Sequence, residues 1–564
     1  MYLCGKIIYK ETLYSVYMKK IFTLFSALGM MLASSLQAQE KNYEWAEDIV
    51  RLNPEVVDSV IPIGLDNPIP HTESCMIYYH QPLQHDNPSL GTINLRAIFV
   101  VYALSSQYRD VMVQMSIGGY DLKEIELNDP NGIPTRNFNS SVGEIGFHYE
   151  GHLLRPEHRF FGTSVPENPM ENIEYCNAKE AAADFHALAE AVKKVFKGKW
   201  AISGVSKGGI ATAIQHAYYP DDADCFVPYV APLLTSANDM RIQERSMTEP
   251  WTPEMRDQTR HILTEMLNRP AVYNWFEKDK KLGPERDAEC RCLFLAAAYD
   301  LIAEARQVRS REVVSNILEA NKARLKEDGL EDYSDMMLAY MLKNSTFQLI
   351  ENYLIAFEAT EWNKQSQDAT RASKDVNLPE FYTERTGYFY QSVHELGYYG
   401  FKWDYFYDTQ AKIDSVNTLW QSNVPNLMAL KNGDYYGTIA FNPELMTLVR
   451  QQTASATKPL LYIYGGDDFW TGGHIEDQYV NGENVRLYIL PEQNHEACIE
   501  KMTDTEMQNE IWAFLDAVFK DTPNAIEQIE LPAAGAKTRY NLMGLPTEET
   551  QGLSIENGRV IYKK

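Results

Sequence analysis

Apolar residues gather in short runs near both ends of the chain and fall into helical spacing between them. Residues 94–103 and 110–117 read as strands, the second ending in Gly118-Gly119. Apolar positions then recur at helical spacing over 178–196, and Lys197-Gly198 closes that segment. Residues 200–203 form a short apolar strand running straight into Gly204, and a further helix begins near Lys207. Residues 225–230, 460–464 and 485–490 complete the strand signals, with helix-spaced Ile511, Phe514, Leu515 and Val518 after them. Strands alternating with helices predict an α/β fold around a mostly parallel sheet.

Between Ala231 and Pro459 strand signals almost vanish. Residues 252–268, 308–326 and 333–356 carry helical periodicity and good helix formers. A structureless loop of that length is implausible in a compact protein, so a helical domain is expected over 236–445. It divides the α/β core into 39–235 and 446–520. Residues 521–564 change to short β-like pieces with turns at Gly544, Gly552 and Asn557-Gly558.

The chain carries 52 Lys+Arg against 78 Asp+Glu, a net charge of −26, which leaves no basic face for phosphates and excludes nucleic acid as the expected partner. At the N-terminus, Lys19-Lys20 precede an uncharged run over 21–36, and Leu36-Gln37-Ala38 leads into polar sequence. That order describes a secretory signal peptide over 1–38, with Met18 as an alternative start. The run is too short for a comfortable membrane span and no comparable apolar run follows, so no transmembrane span is expected in the mature chain. Without residues 1–38, which hold four Lys and one Glu, the chain carries −29. Export to the periplasm, cell surface or medium is expected. Six cysteines then remain, Cys75, Cys176, Cys225, Cys290, Cys292 and Cys498, an even number whose pairing the sequence does not choose. Cys290 and Cys292 stand too close for a zinc half-site, so neither metal nor cofactor is expected.

Gly204-Val205-Ser206-Lys207-Gly208-Gly209 is G-x-S-x-G set between a predicted strand and a predicted helix. A sharp strand-to-helix turn lifts the serine hydroxyl above the sheet, and the helix N-terminus with the Lys207 N–H faces a developing oxyanion. A serine hydroxyl needs a base, and the base an acid, in the order Ser, Asp, His. Gly465-Gly466-Asp467-Asp468 follows one late strand and Asn494-His495 the next. His495 is the expected base, while position leaves Asp467 and Asp468 both open as the acid. Ser116-Ile117-Gly118-Gly119-Tyr120 supplies the candidate second oxyanion donor, the Tyr120 N–H, although an ordinary glycine turn reads equally well.

These motifs resemble serine peptidase family 37, the secreted bacterial prolyl tripeptidyl aminopeptidases, through Gly204–Gly209 as G-x-S-K-G-G. Glu157-His158-Arg159-Phe160-Phe161-Gly162 resembles the E-H-R-Y-Y-G segment of the related prolyl carboxypeptidase and dipeptidyl peptidase II family. Gln391 to Tyr398 looks like their Q-x-x-T-E-x-G segment with His394 in place of Thr. Gly465 to Trp470 is similar to G-x-x-D-P-W with Phe469 in place of Pro, which aligns Asp468 with the acid. The resemblance spans roughly 90–515. It implies an α/β-hydrolase fold with a helical cap, a Ser206-Asp468-His495 triad, and cleavage after Pro near a free N-terminus.

Such an exopeptidase binds an ammonium group, and the resemblance nominates Glu157, Gln391 and Glu395 for substrate binding. Glu157 reads at least as well as an ion-pair partner of Arg159 and Glu395 as a solvated cap-face residue, and either reads equally as the buried partner of an Arg. Tyr388, Phe389, Tyr390, Tyr398 and Tyr399 are wall candidates for a proline pocket, with cap core the preferred reading. Two other functions fit the same residues. A carboxylic-ester hydrolase predicts an apolar cleft with no carboxylate aimed at Ser206, and a non-catalytic binding protein predicts effects that survive Ser206→Ala.

Overall fold

The computed structural model describes residues 44–63, 72–102, 107–122, 143–249, 264–280, 384–400, 403–428 and 440–520, with scattered positions over 253–295 and four short strands within 539–563. Its sheet has nine strands: β1 (Val57–Pro62), β2 (Thr72–Pro82), β3 (Thr92–Tyr102), β4 (Val113–Ile117), β5 (His152–Pro156), β6 (Trp200–Val205), β7 (Cys225–Tyr229), β8 (Leu460–Gly465) and β9 (Val485–Leu490). They lie in the order β1-β2-β3-β5-β4-β6-β7-β8-β9. The first four in that order pair antiparallel. From β5 to β9 every pairing is parallel.

Parallel strands are covered on both faces, and the sequence reads accordingly as short continuous apolar runs. In β8 the pleat sends Leu460, Tyr462 and Tyr464 into one core and Leu461 and Ile463 into the other. The first core takes residues from α1 (Glu44–Leu52), α2 (Ala178–Lys193), α3 (Lys207–Tyr218) and α4 (Glu444–Ala454). The second takes Ile511, Trp512, Leu515 and Phe519 of α5 (Thr505–Phe519). Helices on both faces of a sheet in this order make an α/β-hydrolase fold.

Sequence and structure differ at a few edges. Residues 108–110 form a single 3₁₀ turn, so β4 begins at Val113 rather than at 110. The strands β1, β2 and β5 were not expected.

Between β7 and α4 the described chain forms helices at Arg241–Thr248, Pro270–Lys280, Glu384–Gln391 and Gln410–Met428. Of the expected helical segments, 308–326 and 333–356 lie outside the described residues, and 252–268 is described only at 253, 260 and 264–268. Where the chain leaves the sheet, Asp239 accepts hydrogen bonds from Thr235 and Arg241. Arg241 and Arg450 both donate to the Leu233 carbonyl and to Glu476. The departing and returning segments are therefore tied into one charge network. The tail strands β10 (Arg539–Tyr540), β11 (Pro546–Thr547), β12 (Gly552–Glu556) and β13 (Arg559–Lys563) pair antiparallel in the order β11-β10-β12-β13. Cys75, Cys176, Cys225, Cys290 and Cys498 are buried, and no disulfide occurs among the described residues.

Candidate active site

Ser206 stands between β6 and α3 with φ 59° and ψ −119°. A positive φ at a residue with a Cβ is strained, and strain of this kind persists only where surrounding backbone enforces it. The enforcement comes from three glycines. A Cβ at Gly204 would meet the Gly208 carbonyl oxygen at 2.3 Å, one at Gly208 the Ile117 oxygen at 2.3 Å, and one at Gly209 the Tyr229 oxygen at 2.3 Å. The Ser206 N–H donates to the Tyr229 carbonyl at 3.0 Å, and its hydroxyl caps no helical N–H.

The loop after β8 carries Asp468, fully buried, whose Oδ1 accepts the Trp470 N–H at 3.0 Å. Its Oδ2 meets His495 Nδ1 at 2.7 Å. Gly465 lets the two loops approach, since a Cβ there would lie 2.3 Å from the Asn494 carbonyl oxygen. The neighbouring Asp467 instead has its N–H on the Gln493 carbonyl, so the pairing with His495 distinguishes the two acids. Burial opposes a charge on His495, but the charge and hydrogen bond of Asp468 outweigh it and hold the imidazole pKa above its ordinary value. With Nδ1 on Asp468, Nε2 is the ring nitrogen left to take a proton. No Ser206–His495 hydrogen bond is present among the described residues; in unliganded sites such contacts commonly tighten only when substrate binds.

A cavity of about 30 Å³ opens beside Ser206, lined by Tyr120, Ile210, Leu234, Tyr388, Leu396 and Trp470 among others. Trp470 joins the pocket to the acid–base pair, its ring centroid 6.3 Å from that of His495. Of the aromatic cluster in the sequence, Tyr388 forms pocket wall while Phe389, Tyr390, Tyr398 and Tyr399 are buried. No carboxylate lines this cavity among the described residues.

Lys207 occupies the first helical position, where its N–H has no intrahelical acceptor. Its side chain is buried, and desolvation lowers its pKa to about 7 although Cys176 and Glu395 pull the other way. The Gly119-Tyr120 segment packs directly on it, with a Cβ at Gly119 only 2.7 Å from Lys207 Cβ.

Glu157 does not reach the pocket. Its carboxylate is fully buried and paired with both nitrogens of the Arg96 fork at 3.0 and 2.7 Å. It also accepts from Leu122 N, Ser164 N and Oγ, and Thr163. Every lone pair is committed, which corrects the nomination of Glu157 for substrate binding. The expected pair with Arg159 is absent too: Arg159 binds Asp184 at 2.6 and 2.7 Å. Glu395 accepts the Ala178 N–H at the start of α2, and burial raises its pKa to about 7. Gln391 is buried with neither amide atom bonded, and it lines a second, smaller cavity behind Lys207 with His158. Neither Gln391 nor Glu395 lines the cavity beside Ser206.

Sequence reasoning missed Trp470 and Ser392 in the pocket lining, and the burial of the Lys207 side chain. A cation at a helix N-terminus opposes the helix dipole, and that was the available signal for Lys207. Elsewhere, His186, Glu190 and Asp222 bring ligand-type atoms within 4.8 Å of one another. Lys193 already stands among them, 3.0 Å from Glu190 and 4.0 Å from Asp222. No helix among the described residues is long and apolar enough to cross a membrane.

Comparison with known proteins adds sequence relationships to this geometry. Residues 59–281 match the family model described as PS-10 peptidase S37. A prolyl tri/tetrapeptidyl aminopeptidase of Streptomyces mobaraensis is 27% identical over 194 residues, which cover 34% of this chain and 35% of the relative. The chain thus spans about a third of the length of the curated relative it matches. Among solved structures, a proline iminopeptidase of Mycobacterium smegmatis aligns over 82% of this chain and 99% of its own, at 12% identity and TM-score 0.32. A peroxisomal alpha-beta-hydrolase of Saccharomyces cerevisiae aligns over 82% and 93%, at 9% identity and TM-score 0.33.

Proposed function

Since residues 59–281 match the PS-10 peptidase S37 family model, we propose that the chain is an exported serine peptidase of that family, releasing short peptides that end in Pro from free N-termini. The observation that carries this reading is the 2.7 Å Asp468–His495 hydrogen bond beside a serine held at φ 59°. In the proposed cycle His495 Nε2 takes the Ser206 proton as Oγ attacks the carbonyl carbon. Asp468 keeps the imidazole in the required tautomer and stabilises its charge. The N–H groups of Lys207 and Tyr120 hold the tetrahedral oxyanion, His495 returns the proton to the leaving amine, and water then releases the acyl group.

The pocket wall of Tyr388, Trp470, Leu234 and Ile210 suits a compact apolar ring such as proline. With Glu157 committed internally, Glu395 is the carboxylate we retain for the substrate amine. The segment over 236–445 acts as a cap that limits access to chain ends, and residues 1–38 direct export.

A carboxylic-ester hydrolase is the second reading, favoured by a cavity whose described lining holds no carboxylate. A set of unblocked and N-acetylated peptides with Pro at the second, third or fourth position separates the two. The peptidase reading expects new fragments ending in Pro from the unblocked peptides alone. Intact peptides alongside turnover of a simple ester would replace it with the esterase.

A further inference from the structure

Lys207 is placed where a cation is least welcome. It is 3% exposed, and it begins a helix whose N-terminus is already electropositive. Something specific must offset both terms. The hydrogen bond made by its Nζ goes to the carbonyl oxygen of Gly119 at 2.6 Å. The ring of Phe161 lies 4.2 Å from Nζ and that of Tyr120 5.3 Å, so cation–π attraction supplies part of the lost solvation.

The acceptor identifies the role. The Gly119 carbonyl and the Tyr120 N–H belong to one peptide group, and no peptide bond among the described residues is cis. In a trans peptide the C=O and N–H point in opposite directions. Holding the oxygen therefore aims the N–H. On the far side, the Tyr120 carbonyl accepts the His158 N–H at 3.2 Å, so the segment is gripped at two consecutive oxygens. A cation on the carbonyl also polarises the amide and makes its N–H a stronger donor.

We propose that the Lys207 side chain is the positioning residue of the oxyanion hole: its own N–H supplies one donor, and its ammonium, bonded to the Gly119 oxygen, orients and strengthens the Tyr120 N–H as the other. The inference rests on the serine-hydrolase reading of Ser206 but not on the choice between amide and ester, because both reactions pass through the same oxyanion.

The test uses the full chain with p-nitrophenyl acetate and a free-amine Ala-Ala-Pro p-nitroanilide. Lys207→Met keeps the backbone N–H and the length of the stem. It is expected to lower kcat on the ester roughly tenfold to a hundredfold, somewhat less than outright removal of a donor, with KM within about twofold. A kcat within about threefold of wild type, or a loss carried wholly by KM, would overturn the assignment. Should Lys207→Met not fold, Lys207→Arg retains a donor for the Gly119 oxygen and is expected to keep kcat within about tenfold. A folded Lys207→Arg protein more than about a hundredfold slower would equally overturn it. Ester turnover without amide cleavage defeats the peptidase reading alone, whereas a wild-type chain that turns over neither removes both.

Discussion

Replacing Asp468 by Asn is the sharpest perturbation of the candidate site, because the two side chains are nearly the same size and differ in charge. In Asp468→Asn the amide oxygen can still accept the Trp470 N–H, so the loop is expected to keep its shape. What is lost is the negative charge 2.7 Å from His495 Nδ1. With charge centres about 4 Å apart and an effective dielectric near 20, that charge stabilises the imidazolium of the transition state by about 4 kcal/mol. At about 1.36 kcal/mol per factor of ten, the loss alone slows acyl transfer roughly a thousandfold. The amide also turns its NH₂ towards Nδ1 and leaves the proton on Nε2, the wrong tautomer, which brings the expected loss in kcat to about 10³–10⁴.

The pH profile adds an independent check with a defined sign. His495 must be neutral to act as a base, so its pKa sets the acid limb of kcat/KM. In the wild type Asp468 holds that pKa above the ordinary imidazole value against the effect of burial. In Asp468→Asn burial is opposed only by the weaker pull of the Glu496 charge, and the limb moves to lower pH. The assay is stopped-flow or steady-state turnover of an activated ester across the acid limb and the neutral range, with melting temperature as the folding control. A loss below about tenfold, an unmoved acid limb, or the large loss appearing in Asp467→Asn instead would refute the assignment.

Four further outcomes follow from the same geometry. Gly208→Ala places a methyl 2.3 Å from the Ile117 carbonyl oxygen, so it should destabilise by at least about 1–3 kcal/mol in urea unfolding and abolish turnover of what remains folded. Arg96→Met strands the buried Glu157 carboxylate and should cost about 3–5 kcal/mol of stability by the same measurement. Glu157→Gln should likewise act on stability and not on KM for free-amine peptides. Glu395 has a folded pKa near 7 against an ordinary 4.5, so the folded state binds the extra proton between those values. Stability should therefore fall as pH rises from about 4.5 to about 7, and Glu395→Gln should remove that part of the melting-temperature profile.

The parallel half of the sheet was legible because each strand is a short apolar run ending in glycine or a turn, and its reactive residues sit at the strand ends. Order along the chain and loop position were therefore enough to nominate Ser206, His495 and, as the acid, either Asp467 or Asp468. The strand β5 was hidden because two of its five residues, His152 and Arg155, are polar yet buried. The ring of His152 is satisfied within the fold by Tyr102 N and the Tyr108 carbonyl, a pairing no local pattern reveals. Which arginine holds Glu157 was hidden for a related reason. Its partner Arg96 lies 61 positions away on β3, across an antiparallel pairing, and the nearer Arg159 looked sufficient. Position left Asp467 and Asp468 open and only the resemblance singled out Asp468, since the choice depends on which side chain the tight turn after Gly465 directs towards the next loop.

The central claim is tested most directly by comparing the purified chain with its Ser206→Ala variant on the p-nitroanilides of Ala-Ala-Pro, Ala-Pro and N-acetyl-Ala-Ala-Pro. The wild type is expected to release nitroaniline from a free-amine substrate, Ser206→Ala to do so at least about a thousandfold more slowly, and neither to release it from the acetylated peptide. Equal rates for the wild type and Ser206→Ala, or cleavage indifferent to acetylation, would contradict the claim.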